Sequence, residues 1–149
     1  MEKSVIISIK GVQDSDNGTD EVMELVTQGT LSGDEGDGFA LTYRESELTG
    51  LEGTTTTFRI GKGRITLHRE GTLNSEMIFE EGQKHFSLYE TPYGGLMLGV
   101  KTRKARSDIG SSGGNLEIRY ALEVDNERIG ENSFEIHVRE PVAISRLIM

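Results

Sequence analysis

The sequence predicts an all-β fold, a single antiparallel up-and-down β-barrel of about eight to ten strands. Three observations predict it. Apolar residues alternate with polar ones at period two almost from end to end, the pattern of strands with one buried and one wetted face. No stretch of more than about ten residues holds a helical period. The chain has 19 Gly and only 2 Pro, a composition suited to many tight turns between short elements. A meander of this length either closes on itself or leaves two exposed sheet edges, and closure removes them. A β-sandwich is the second choice.

The strands follow in order. Val5, Ile7 and Ile9 alternate with Ser4, Ser8 and Lys10; Met23, Leu25 and Thr27 alternate with Glu24 and Gln28. Phe39, Leu41 and Tyr43 come next, then Thr54, Thr56, Phe58 and Ile60, then Ile65 and Leu67. Ser75, Met77 and Phe79 precede Phe86 and Leu88, and Leu96, Leu98 and Val100 follow. The last two sets run from Leu116 through Ile118, Tyr120 and Leu122 to Val124, and from Phe134 through Ile136 to Val138. All five Phe take the inner parity on this register, enough rings to fill much of a small barrel.

Turn chemistry separates these runs. Asn17-Gly18 suits a tight hairpin because both residues tolerate positive φ. Further breaks fall at "GDEGDG", "GKG", "EEG", "TPYGG", "GSSGG" and "NERIGEN". The stretch Arg103–Gly114 reads as a longer connection, basic at first and then Gly/Ser-rich. The tail after Pro141, "VAISRLIM", is apolar and suited to docking on the barrel or on a second copy.

At 149 residues the chain has the size of one domain. The reading is a single domain over 1–149, with a core of about 3–140 and a short tail, 141–149. There is no Cys, which removes thiol catalysis, thiolate metal sites and disulfides. A formal charge of −9 disfavours nucleic acid, whose binding needs a cationic surface. No segment reads as a signal peptide or a membrane span, so a cytoplasmic location and no membrane partner are expected.

"SEMIFEEGQKHFSLYETPYGGLMLGVKTRK", "GLEGTTTTFRI" and "GGNLEIRYALEVDNERIGENSFEIHVRE" resemble the YwiB-like family of small bacterial domains of unknown function, found mainly in Firmicutes. The resemblance runs from about Lys3 to Glu140. Its most specific pieces are Gly53-Thr54 with the Thr run, Met77, Thr91-Pro92-Tyr93-Gly94 and Tyr120. It implies a lipocalin-type, or calycin-type, barrel. It carries over no catalytic residue and no substrate.

Candidate chemistry is sparse. Gly61-Lys62-Gly63 lacks the spacing and the following helix of a phosphate-binding loop and reads as a hairpin turn. Arg59, Arg64 and His68 share the outer parity and form a candidate anion patch; the bland alternative is cross-strand pairing with Glu76 and Glu80. On the inner parity stand Tyr43, Glu45, Thr54, Thr56, Arg69, Ser75 and Tyr120. Glu45 and Arg69 fall at strand ends, where a barrel mouth would place them. They could orient a polar ligand there or simply form a satisfied ion pair. In "ETPYGG", Tyr89, Thr91 and Tyr93 form a candidate lip. The candidate ligand set is therefore Tyr43, Glu45, Thr54, Thr56, Arg69, Tyr93 and Tyr120. "DSDNGTDE" departs from the spacing of a calcium loop, and His68, His85 and His137 have no paired spacing, so no metal is expected. No catalytic set and no cofactor are expected either.

The function expected is a non-enzymatic module that binds a small molecule at the barrel mouth or interior. The alternative is an interaction or assembly protein with a filled barrel, pairing as a homodimer through its tail or outer surface. An enzyme ranks third.

Overall fold

The computed structural model describes residues 2–15 and 20–141. The expected Asn17-Gly18 turn, the "DSDNGTDE" tip and the apolar tail lie wholly or largely outside the described residues. Among the described residues ten antiparallel strands make one sheet: β1 (Glu2–Ser15), β2 (Asp20–Asp34), β3 (Gly38–Arg44), β4 (Thr54–Gly61), β5 (Arg64–Gly71), β6 (Ser75–Phe79), β7 (Lys84–Thr91), β8 (Gly94–Ser107), β9 (Gly114–Val124) and β10 (Glu127–Arg139).

The strand order is β6-β5-β4-β3-β2-β1-β10-β9-β8-β7. The first and last strands pair along ten residues, from Ile6 opposite Arg139 to Ser15 opposite Gly130. The barrel's seam therefore lies mid-chain, between β6 and β7. One antiparallel bridge, Asn74 to Glu90, ties its far end with two backbone hydrogen bonds of 2.8 and 3.0 Å. The Ser87 hydroxyl donates to the Glu76 carbonyl between them. The result is a nearly closed barrel, as the alternation predicts.

The hairpins show why the turn residues are where they are. Gly61 pairs with Arg64, so Lys62 and Gly63 form a two-residue turn with Gly63 at φ 74°. This confirms turn chemistry in "GKG". Asp125 and Asn126 take φ 53° and 65° between Val124 and Glu127, a conformation their short polar side chains tolerate. Gly29 has another task. A Cβ there would collide with Ile7 and the Thr42 carbonyl, so only glycine lets β2 approach its neighbours this closely.

The core follows the inner parity. Val5, Ile7, Leu41, Phe58, Leu67, Phe79, Ile118 and Val138 are all at most 2 % exposed. Tyr120 packs against Phe79 with ring centroids 4.8 Å apart, and Phe134 stands edge-on to Phe58 at 6.2 Å. The rings thus fill the middle of the barrel.

Two expectations are corrected. Phe86 and Leu88 face outward, at 64 % and 46 % exposure, while Ser87 on the same strand is buried. In β7 the smaller or more polar set, His85, Ser87 and Tyr89, points inward, and alternation alone could not choose the face. The connection Arg103–Gly114 is also shorter than expected, because β8 continues to Ser107. A register shift between Thr102 and Lys104 breaks the period there. Thr102 is then buried and Ala105 packs on the core, a parity change that an inserted residue produces. Arg103, Lys104 and Arg106 pair with Glu131, Glu117 and Glu81 on the surface.

Candidate functional site

One row across the sheet builds the site. Tyr43 on β3 stands opposite Thr56 on β4, Thr56 opposite Arg69 on β5, and Arg69 opposite Ser75 on β6. All four point inward at the same level. The next rows are apolar: Leu41, Phe58, Leu67 and Met77, then Phe39, Ile60, Ile65 and Phe79. The barrel is oily through its middle and polar toward one end.

Just beyond β3 the chain leaves the sheet. Glu45 keeps one backbone bond to Thr54, and a short 3-10 turn follows, Glu47–Thr49. Ser46 caps it by accepting from the Leu48 amide, and Gly50 closes it at φ 77°. This excursion brings Leu48, Thr49 and Leu51 over the open end. Alternation gave no sign of these residues as lining. The cap residue Ser46 and the break "TGLEG" were the available signals.

The open end encloses a cavity of about 520 Å³, within the range of small-molecule sites, roughly 300–1,000 Å³. Its floor is buried: Tyr43, Glu45, Met77, Leu98 and Tyr120 are all below 9 % exposure. Its rim is exposed and apolar, with Val22, Leu48 and Leu96 at 59 %, 82 % and 46 %. Gly11 and Asn132 complete the wall on the β1–β10 side.

The polar floor is incompletely satisfied. Thr56 Oγ1 donates to Glu45 Oε2 at 2.6 Å. Arg69 Nε lies 3.9 Å from the same oxygen, close enough for attraction and too far for a hydrogen bond. Glu45 Oε1 and Arg69 Nε are buried and have no hydrogen-bond partner among the described residues. Buried polar groups are nearly always paired, so these two orphans beside the cavity, with Ser75 Oγ a third next to Arg69, are unusual. Burial, with the negative Glu45 beside it, pushes the Tyr43 phenol well above the ordinary tyrosine range. Burial likewise raises the Tyr120 phenol, whose oxygen accepts from Asn132 at 3.4 Å. Both phenols are therefore neutral hydrogen-bonding groups at neutral pH.

Of the expected ligand set, Tyr43, Glu45, Arg69 and Tyr120 meet at this cavity. Thr56 supports it from behind through Glu45. Thr54 is buried and accepts from the Leu73 amide, a bond that fixes the loop below. Tyr93 stands apart, 99 % exposed at the tip of the β7–β8 turn. There Thr91 Oγ1 accepts from the Tyr93 amide and donates to the Gly94 carbonyl. Of the expected lip, Tyr89 alone lines the cavity. Residues that alternation did not single out as lining, such as Gly11, Leu48 and Asn132, do line it.

The outer basic set is dispersed into pairs. Arg64 bonds Glu80 at 3.2 Å, and His68 lies 3.5 Å from Glu76 and 3.7 Å from Glu70. Arg59 is exposed on β4. His85 also reaches Glu80, at 3.0 Å, and together with Arg64 it holds that carboxyl below the usual range. His137 bonds Asn115. Among the described residues no three His, Asp or Glu side chains gather as a metal-ligand group. No helix among them is long and apolar enough to cross a membrane.

A family model described as a domain of unknown function (DUF1934) matches residues 7–136. The chain is 24 % identical over 127 residues to the uncharacterized beta-barrel protein YwiB of Bacillus subtilis (strain 168), covering 85 % of this chain and 87 % of that one. The crystal structure of the ywiB protein from Bacillus subtilis matches with a TM-score of 0.83 at 23 % identity, over 95 % of this chain and 94 % of that one. This likeness supports the same barrel fold.

Proposed function

We propose, for a chain that belongs to the DUF1934 family of domains of unknown function, that the protein is a non-enzymatic module binding a small molecule in the barrel mouth. One observation carries the reading: an apolar-walled cavity of about 520 Å³ with a buried floor and an exposed apolar rim. A bound molecule would cover the exposed leucines and valine of the rim, removing apolar surface from water.

The test uses an uncharged fluorophore, N-phenyl-1-naphthylamine, whose emission rises in apolar surroundings. Gly11 faces the cavity, and a Cβ there meets only Met23 at 3.5 Å and Phe134 at 3.7 Å, ordinary contact distances. Gly11→Phe should therefore fill the mouth. The expected result is saturable binding to the wild type that weakens at least tenfold in Gly11→Phe. No binding, or equal binding by both, removes the reading. Equal binding would point to the outer stripe instead.

That stripe favours a second reading. Phe86, Leu88 and Met97 lie together on the outer face of β7 and β8, 64 %, 46 % and 53 % exposed. In this version the outer face pairs two copies of the chain. A monomer in sedimentation, unchanged by Phe86→Ser with Met97→Ser, would eliminate it.

A further inference from the structure

Resting on the mouth-binding reading, we infer that the molecule it takes is a short extended peptide, apolar and basic in alternation, which adds as a strand to the free edge of β2. Its apolar side chains enter the cavity and its basic ones lie on the outer face.

The edge is a matter of unequal strand lengths. β1 pairs with β2 from Glu2 opposite Ser32 to Asp14 opposite Asp20, so that side of β2 is occupied almost throughout. β3 pairs with the other side only over Thr30–Asp34. Past Arg44 the chain leaves the sheet, and among the described residues no loop or turn backbone hydrogen bond reaches residues 20–29. Their second edge therefore presents unpaired N–H and C=O groups, a template for another strand. It is accessible, with Val22 and Val26 at 59 % and 64 % exposure. It is also part of the mouth. Met23 and Leu25 line the cavity from this edge, and Leu48 and Leu51 line it from the segment that follows β3.

An edge strand offers a donor and an acceptor on every second residue, about 6.8 Å apart. An extended peptide repeats both groups at that spacing; an alcohol, a simple amide or a fatty chain does not. Alternate side chains of an added strand fall on opposite faces. One set meets Met23 and Leu25 and must be apolar. The other lies beside Val22, Glu24 and Val26. Glu21 and Glu24 make no ion pair among the described residues, although Glu24 stands opposite Lys10, and Asp14 faces Asp20 at the same end. Lysine suits this outer face, because its stem covers valine while its ammonium reaches the carboxylate. The same acidity opposes pairing with the β2 edge of a second copy.

The experiment is fluorescence anisotropy of the full chain with the peptide KVKVKVK, amidated and carrying an N-terminal fluorescein. Saturable binding is expected, with displacement of N-phenyl-1-naphthylamine. The scrambled peptide KKVVVKK should bind at least about fivefold weaker; equal binding would reduce the contact to charge alone and overturn the inference. Two further peptides carry N-methyl groups on the valines or on the lysines. The amides of one set face β2 and those of the other face away, so one peptide should lose at least about tenfold and the other should not. Equal affinity of these two overturns the inference, because the backbone is then not read. Glu24→Gln should weaken KVKVKVK by about threefold; no change would remove the basic half of the proposal. If KVKVKVK does not bind while N-phenyl-1-naphthylamine binds and is lost in Gly11→Phe, the strand inference falls and binding at the mouth stands. If neither binds, both fall. Binding that appears only in Leu147→Asp/Ile148→Asp would give the edge to the chain's own tail, and a dimer in sedimentation that excludes the peptide would give it to a second copy; either overturns the inference.

Discussion

Replacing Glu45 and Arg69, singly and together, tests whether the floor is built for stability or for something else. The two charges lie 3.9 Å apart, a separation worth about 4 kcal/mol at an effective dielectric constant near 20. Against this stands the desolvation of both groups, of similar size. Removing one partner leaves the other charge buried and uncompensated. Glu45→Leu also takes the acceptor from Thr56 Oγ1, which donates to it at 2.6 Å. Each single variant, Glu45→Leu or Arg69→Met, should therefore lose about 3–5 kcal/mol. For a domain of this size that lowers Tm by about 6–20 °C. The double variant should recover most of the loss and match or exceed the wild type, since apolar side chains need no partners. Urea denaturation of the four proteins gives the coupling directly. Additive losses would refute the reasoning. They would mean that the ion pair, despite its missing hydrogen bond, is a net support of the fold.

Three further expectations follow from burial, backbone space and proton linkage. Gly29→Ala should cost about 1–3 kcal/mol in urea denaturation, because its methyl overlaps Ile7 and a backbone carbonyl; an unchanged midpoint would show that β2 can shift freely there. Phe58→Ala should cost about 3–5 kcal/mol, whereas Phe86→Ser should change stability by less than about 1 kcal/mol because that ring is 64 % exposed. Equal losses would put the β7 register in error. The Tyr43 and Tyr120 phenols have raised folded-state values and an ordinary unfolded value of 10.0. Their contribution to stability is thus whole below pH 10 and is lost as pH rises toward the folded values. Both groups should lower stability as pH rises through that window, Tyr43 with a slope approaching about 1.4 kcal/mol per pH unit, and Tyr43→Phe should remove its share, as read from denaturation midpoints against pH.

Much of this was legible in the chain. Period-two alternation located the strands because a pleated strand must send alternate residues to opposite faces. "GKG" declared itself a turn because no helix followed to make it a phosphate cradle. Glu45 and Arg69 stood out as charges on the inner parity near strand ends, and the structure brings them to one cavity. The misses have physical causes. In β7 both parities carry large residues, so the sequence offers two registers. The seam decides between them by placing Ser87 beside the Glu76 carbonyl. In β8 the bulge at Thr102–Lys104 changes parity mid-strand, and a single extra residue leaves no mark in composition. Leu48 and Asn132 come to the mouth from distant segments, so no local pattern joins them.

The sequence by itself determined an antiparallel barrel, the inward face of nearly every strand and the identity of the charges that face inward. Those depend on local periodicity and turn chemistry, which neighbouring residues settle among themselves. Tertiary structure alone decided that the seam falls between β6 and β7, that Glu45 and Arg69 come 3.9 Å apart, and that one end stays open beside them. Those depend on how ten strands close around a fixed volume of side chains, which no single strand encodes.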